Sequence, residues 1–236
     1  MLASRQCCTP ERRGVARRWP RPWLRSAAAL LMLGGLLPTL GLAATWRIDT
    51  VHSQVWFTVD HQQFSFPQGR LHISEGWLRF DPDDWAASTL EVSVATGSVD
   101  LGDADWNQAV TSAQFLDAKR WPTAHFTARS VSQTNARQGV IHGELTLHGH
   151  TLPLDITFTL NRIARDPYTL PSREKAGFSA RASLSRRAFG MRRFAEVVGD
   201  RVDLRIEVEA VRDRSAGTNQ PPAAGPPGAR SHAIEK

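Results

Sequence analysis

Between Ala44 and Arg212, hydrophobic and polar side chains alternate with a period of two. Val55, Phe57 and Val59 alternate with Trp56, Thr58 and Asp60, and Leu90, Val92 and Val94 with Glu91, Ser93 and Ala95. Leu145 and Leu147 alternate with Thr146 and His148. The longest runs are Leu152, Leu154, Ile156, Phe158 and Leu160, then Phe178, Ala180, Ala182 and Leu184, then Val202, Leu204, Ile206, Val208 and Ala210. Successive side chains on a strand point to opposite faces, so each run gives one apolar face for a core and one polar face for water, as in antiparallel sheets. The pattern predicts eight strands, at residues 46–61, 68–80, 88–97, 123–132, 138–148, 151–163, 176–185 and 198–211. Gly76 separates Leu71 and Ile73 from Leu78 and Phe80, whose parity differs, so a bulge or bend is expected there. His148-Gly149-His150 reads as a tight turn joining two strands.

One stretch breaks the period. Trp106, Ala109, Val110 and Ala113 recur at helical spacing behind Asp103, whose carboxylate suits an N-cap, so residues 104–113 are expected to be helical. Eight antiparallel strands within residues 44–212 fit a closed up-and-down barrel or a sandwich. The length of the 152–160 and 202–210 runs favours the barrel, where tilt lengthens each strand. The inward set is almost all Phe, Leu, Ile and Val and contains no charge. In a barrel of this size such a set either fills the lumen or leaves room for one apolar ligand. Small inward residues (Ala180, Ala182, Ala210) would leave that room, although a solid core presents the same apolar face.

The ends of the chain have a different character. Residues 1–43 carry seven arginines and one acidic group, followed by an apolar run from Ala27 to Leu42 and small residues at Gly41 and Ala43. A basic stretch, an apolar stretch and a small-x-small site make an export signal, with cleavage expected after Ala43. Broken by Gly34-Gly35 and Pro38, the apolar run is short for a membrane span, which needs about 20 residues. A twin-arginine reading of Arg17-Arg18 fits poorly with Trp19-Pro20 behind it. The formal net charge of +6 belongs to this leader, because residues 44–236 hold equal numbers of basic and acidic groups. Without a basic surface surplus there is no basis for a nucleic-acid partner. Both cysteines, Cys7 and Cys8, lie in the leader, so the exported domain has no thiol for a disulfide, a nucleophile or a metal. Residues 213–236, with Pro221-Pro222 and Pro226-Pro227 and almost no large apolar side chain, are expected to be disordered.

Catalytic signatures are missing: the chain has no G-x-S-x-G, H-E-x-x-H, G-x-G-x-x-G or P-loop. His148 and His150 read first as polar residues of a hairpin, and Asp81-Pro82-Asp83-Asp84 as a turn lacking the ligand spacing of a calcium loop. Trp46, Trp56, Trp77, Trp85, Trp106 and Trp121 read as core and rim residues. No metal or cofactor is expected.

Trp46-Arg47-Ile48-Asp49, followed by His52-Ser53-x-Val55-x-Phe57-x-Val59-x-His61, resembles the opening of the YceI-like family of periplasmic proteins. So do Leu78-x-Phe80-Asp81-Pro82-x-Asp84, Pro122-x-x-x-Phe126, Gly143-Glu144-Leu145-Thr146-Leu147-His148-Gly149 with Pro153, Phe189-Gly190-Met191 and Val198-Gly199-Asp200-x-Val202. The resemblance implies an all-β, eight-stranded, lipocalin-like antiparallel barrel with one short helix, an elongated apolar cavity and a periplasmic location. It also implies binding of a long isoprenoid chain, such as a polyprenyl phosphate or a quinone tail. The residues expected to face that ligand are Phe57, Val59, Leu71, Phe80, Val92, Phe126, Leu147, Phe158, Phe178 and Met191, with Ala182 in the same inward alternation.

The expected role is a non-catalytic carrier or sequestering protein, with at most a transient membrane or cytochrome contact. Two rivals are a quinone-binding accessory to a membrane cytochrome, for which the chain has no haem-ligation motif of its own, and a lipid-modifying enzyme using His52 or His61 as base. The chain departs from the family pattern in three places. Residues 103–110 read Asp-Ala-Asp-Trp-Asn-Gln-Ala-Val where the family usually has a segment rich in Arg, Asp and His, the 166–175 loop lacks the usual glycines, and the C-terminal tail is additional.

Overall fold

A computed structural model describes residues 44–169 and 171–213. The leader (residues 1–43) and the tail beyond Asp213 lie outside the described residues. The strands are β1 (Ala44–Ile48), β2 (Gln54–His61), β3 (Gln68–Phe80), β4 (Thr89–Asp100), β5 (Thr123–Gln133), β6 (Gln138–Leu147), β7 (His150–Arg165), β8 (Glu174–Ser185) and β9 (Val198–Arg212). From β2 to β9 each strand pairs antiparallel with the next, and β9 pairs back with β2, which closes the sheet into a barrel. β1 also lies between β3 and β9, so β1 and β2 together form one stave of eight.

The single strand expected over residues 46–61 is therefore two, and the cause is local chemistry. Asp49 Oδ1 accepts from the backbone N–H of Val51 at 3.0 Å and of His52 at 3.3 Å, which turns the chain out of the sheet. Ser53 brings it back. Its hydroxyl accepts from the Glu209 N–H at 3.0 Å and donates to the Glu209 carbonyl at 3.2 Å, replacing the ladder bonds that the break removes. Ser53 is 1% exposed, so Ser53→Ala strands the Glu209 N–H away from water. The expected cost is about 1–3 kcal/mol, read as a shift in denaturant midpoint. An unshifted midpoint would mean that the hydroxyl is not the mortar of this stave.

The expected irregularity in β3 is present but displaced. The β3–β4 register shifts between Arg70 and His72 and between Ile73 and Glu75, so the parity change falls just before Gly76. The glycine has another reason: a Cβ at position 76 would lie 2.6 Å from Ile48 Cδ1. His148 (φ 50°) and Gly149 (φ 78°) both occupy the left-handed region, as a two-residue type I′ hairpin requires. The helix α1 (Ala104–Thr111) ends two residues before the expected limit, and Asp103 Oδ1 caps it by accepting from the Trp106 N–H at 3.0 Å.

The two ends of the barrel differ. The β3–β4, β5–β6 and β7–β8 connections share one end, and the β2–β3, β4–β5, β6–β7 and β8–β9 connections share the other, with α1. At the first end a short 3₁₀ turn (Trp85–Ala87) lays Trp85 across the interior. Its ring stacks on Phe158 at 5.3 Å and meets Phe80 edge-on at 5.5 Å. Phe178 completes the plug at 5.7 Å from Phe80 and 6.1 Å from Phe158. Asp81 to Asp84 form the turn that holds it: Asp81 Oδ1 accepts from the Asp83 N–H at 2.9 Å, and Trp85 Nε1 donates to the Pro82 carbonyl at 2.9 Å.

Candidate functional site

Two apolar compartments lie inside the barrel. The one toward the aromatic plug has a volume of about 160 Å³, and the one toward α1 about 300 Å³. Val55, Val94, Leu145 and Leu204, from β2, β4, β6 and β9, line both, so the compartments adjoin and these four side chains form the waist between them. Together they fall in the range of small-ligand pockets, roughly 300–1,000 Å³.

An aromatic-rich lumen of this width stays open because its rings lie back on the wall. Phe57 faces Gly69 across β2–β3, Phe158 faces Gly139 across β6–β7, and Phe126 lies over Gly143. A Cβ would stand 2.8 Å from Phe158 Cε1 at position 139 and 2.5 Å from Phe126 Cζ at position 143, and would overlap the tip of Phe57 at position 69. Each glycine is thus a seat for a ring that would otherwise cross the lumen. Gly69→Ala should push Phe57 into the helix-end compartment. We expect affinity for an apolar ligand in the lumen to fall about tenfold, the equivalent of one to two buried methylenes' worth of contact, with the barrel still folded. Unchanged affinity in a folded variant would show that Phe57 yields outward.

Ten of the eleven residues expected from sequence line the lumen. Phe80, Val92, Phe126, Phe158 and Phe178 line the plug-end compartment, and Phe57, Val59, Leu71, Leu147 and Met191 the helix-end one. Ala182 shares their inward parity but packs against the cluster of Phe126, Ala128, Leu154 and Ile156 and lines neither compartment. Trp106, Ala109 and Val110 of α1, with Phe115 and Leu116 after it, also line the helix end. Their helical period marked them as an apolar face but could not say which face of the sheet they would meet.

The expectation of an uncharged interior is corrected at one position. Arg186, 2% exposed, lines the helix-end compartment. Its five N–H groups donate to the carbonyls of Gly199 (2.8 Å), Met191 (2.6 Å), Arg193 (2.9 Å), Phe194 (3.4 Å) and Val198 (2.7 Å). Among the described residues no carboxylate lies within ion-pair distance of it. Burial, with Arg187 alongside, lowers its pKa from the usual arginine value, and Asp200 opposes this. Arginine stays protonated in proteins, so a positive charge sits at the helix end of an apolar tube. The sequence reading missed Arg186, although extending the alternation Phe178, Ala180, Ala182, Leu184 by one step reaches it.

Of the two histidines considered as bases, His61 lines the helix-end compartment, its ring 5.8 Å from that of Trp106. His52 stands at the break between β1 and β2, its Nδ1 2.8 Å from Asp49 Oδ2. Asp49, His52 and Glu209 come close enough to hold a cation, but the Lys175 ammonium already lies 3.3 Å from Glu209 Oε2. On the outer wall, Ser132 Oγ is 2.9 Å from His142 Nε2, and His142 Nδ1 is 2.9 Å from Asp155 Oδ1, the hydrogen-bond order of a Ser-His-carboxylate triad. Imidazole and carboxylate are exposed there, without the low dielectric that gives such a triad its strength. Ser93 and His125 repeat the Ser–His contact at 3.1 Å across β4–β5. The set is a cross-strand polar ladder.

Fold and lumen together define a closed, eight-staved antiparallel barrel with an elongated apolar cavity, plugged by aromatic rings at one end and lined by a helix at the other. The profile of the YceI-like domain matches residues 46–210, and the chain belongs to that family. It is 33% identical over 180 residues to a UPF0312 protein of Vibrio cholerae, covering 75% of this chain and 92% of the relative. In fold it is similar to BcnA of Burkholderia cenocepacia, with a TM-score of 0.61 and 22% identity over 69% of this chain and 98% of that one. It is also similar to a polyisoprenoid binding domain from Saccharophagus degradans implicated in plant cell wall breakdown, with a TM-score of 0.55 and 12% identity over 73% and 99% of the two chains.

Proposed function

We propose that this chain is an exported, non-catalytic carrier that holds one long isoprenoid-type lipid along the barrel axis. The observation that carries the reading is the pair of apolar compartments meeting end to end at the Val55–Val94–Leu145–Leu204 waist. A thin branched chain needs only a shift of these four aliphatic side chains to run through both compartments, whereas a compact ligand of the same total volume fits neither alone. The Saccharophagus domain, named for polyisoprenoid binding, has the same fold and supports the choice of ligand class. At about 25 cal/mol per Å², enclosing roughly 300 Å² of prenyl chain supplies on the order of 7 kcal/mol before immobilisation costs. The Arg186 charge favours a polar or anionic head group at the helix end, with the tail running to the Phe80–Trp85–Phe158–Phe178 plug. Because all five N–H groups of Arg186 are engaged, it would act on the head group through charge rather than by direct hydrogen bonding.

Periplasmic location follows from the basic and apolar character of residues 1–43, and sequencing of the exported protein should give Ala44 as its first residue. The ligand is tested by displacement of a fluorescent apolar probe with farnesyl, geranylgeranyl and octaprenyl lipids of one head group. Affinity should climb with chain length until the lumen is filled. Equal affinity along the series would contradict a tail bound through the waist.

A further inference from the structure

We propose that the helix end of the barrel docks on the surface of an anionic lipid bilayer. The proposal rests on the carrier reading for its purpose, but its geometry stands separately. Four large apolar side chains are exposed at this end: Phe64 (88%), Phe66 (66%), Phe194 (45%) and Trp106 (44%). They come from three connections and form one continuous rim. The Gln62 N–H donates to the Val197 carbonyl at 2.9 Å, which ties the Phe64–Phe66 loop to the β8–β9 connection. Phe194 stacks on Phe115 at 5.7 Å, and Trp106 lies against His61 at 5.8 Å. Trp106, Phe115 and Pro67 also line the helix-end compartment, so the rim surrounds the lumen on this side.

The rim is held out rather than collapsed. Gln62 (φ 55°), Gln63 (φ 59°) and Phe194 (φ 53°) all occupy the left-handed region, which non-glycine residues enter at a cost. The Gln63 N–H is fixed on Asp60 Oδ1 at 2.7 Å, and Arg186 anchors the base of the other loop through the carbonyls of Arg193 and Phe194. Strained loops that present aromatic tips along the barrel axis fit an interface in which rings sit at headgroup depth.

Charge selects the surface. The β8–β9 connection, residues 186–197, has four arginines and one acidic residue, Glu196. Arg192 and Arg193 are exposed beside Phe194, and no carboxylate pairs with either among the described residues. Of the acidic groups at this end, Asp60 and Asp103 are engaged in capping backbone N–H groups, Asp200 accepts from Ser185 and the Arg187 N–H, and Asp105, Asp117 and Glu196 form no ion pair with Arg192 or Arg193 among the described residues. Two free arginines beside exposed aromatic rings complement negatively charged lipid headgroups. A carrier whose cargo lives in a membrane also needs one end of its cavity on that membrane, and the helix end is the one ringed by exposed aromatic side chains.

The test is flotation of the mature chain with vesicles of phosphatidylcholine alone or mixed with phosphatidylglycerol. The wild type should float with the mixed vesicles, less with the neutral ones, and less again at high salt. Phe64→Ser/Phe66→Ser should lower partitioning about tenfold or more, and Arg192→Gln/Arg193→Gln by about fivefold per arginine on the anionic vesicles. All these side chains are exposed, so unchanged melting temperatures confirm intact folds. Val51→Ser/Tyr168→Ser removes exposed apolar groups away from the rim and should change nothing. Failure of the wild type to float, or equal flotation of the Phe64/Phe66 variant, overturns the docking. Prenyl-lipid binding measured without vesicles reports separately on the carrier reading. A wild type that holds no prenyl lipid, yet floats through Phe64 and Phe66, would end that reading and leave the docking standing.

Discussion

Ala180→Trp should lower prenyl-lipid affinity about a hundredfold while leaving the barrel folded. Ala180 faces the plug-end compartment, directly across from Phe158 on one side and Ile206 on the other. The cavity of about 160 Å³ in front of it gives the indole a place to go. Stability should therefore change little, whereas the same change in a filled core costs about 1–3 kcal/mol. Excluding roughly 100 Å² of lipid tail from this compartment removes on the order of 2.5 kcal/mol of burial, which is the hundredfold loss. Ala182, one inward step along the same strand, makes the contrast. Both alanines pack against the cluster of Phe126, Ala128, Leu154 and Ile156, but Ala182 lines neither compartment, so Ala182→Trp should destabilise by about 1–3 kcal/mol through overpacking. Denaturant midpoints paired with probe displacement read both effects. Equal destabilisation by the two variants would mean that the space beside Ala180 is not open to a side chain.

Arg186→Met should be the most destabilising single change in the β8–β9 connection. Methionine can follow the path of the arginine stem but offers no donors. The carbonyls of Met191, Arg193, Phe194, Val198 and Gly199 would then lose the one side chain that gathers them. With water recovering part of the loss, the expected cost is about 3 kcal/mol, or roughly 6–12 °C in melting temperature for a domain of this size. Arg186→Lys keeps the charge but has three donors and no planar fork, so it should fall in between. If the charge matters to a head group, lysine should keep more of the affinity for an anionic prenyl lipid than its stability loss implies. A melting temperature unchanged in Arg186→Met would show that the loop is held by its other contacts.

The barrel was legible because its signal is repeated. Every stave carries the same alternation, and a slip of one residue would turn all its apolar side chains outward, so Leu152 to Leu160 and Val202 to Ala210 fix their own faces. The break at residues 49–53 was not legible in that alternation. It depends on the Asp49 side chain competing for two backbone N–H groups and on Ser53 standing in for a ladder bond with Glu209, a partner 156 residues away. Parity places the lining residues inward, but it cannot separate a residue facing empty space from one packed in the wall, so it gives Ala180 and Ala182 the same reading. The glycines under Phe57, Phe126 and Phe158 carry no period of their own. Their purpose emerges only when the register places each beneath a ring. Arg186 followed the alternation but broke the rule that inward means apolar. Its burial is made possible by five carbonyls that only the folded loop supplies.

The central claim is that a single isoprenoid-type chain occupies the axis of this barrel. Mass spectrometry of the organic extract from mature protein purified out of its native envelope tests it most directly, with Ala180→Trp purified in parallel. The account predicts a prenyl-chain lipid at close to one per barrel in the wild type and a sharply reduced amount in the variant. Wild-type protein that yields no lipid and takes none up, or an unbranched acyl lipid present equally in both preparations, would contradict it.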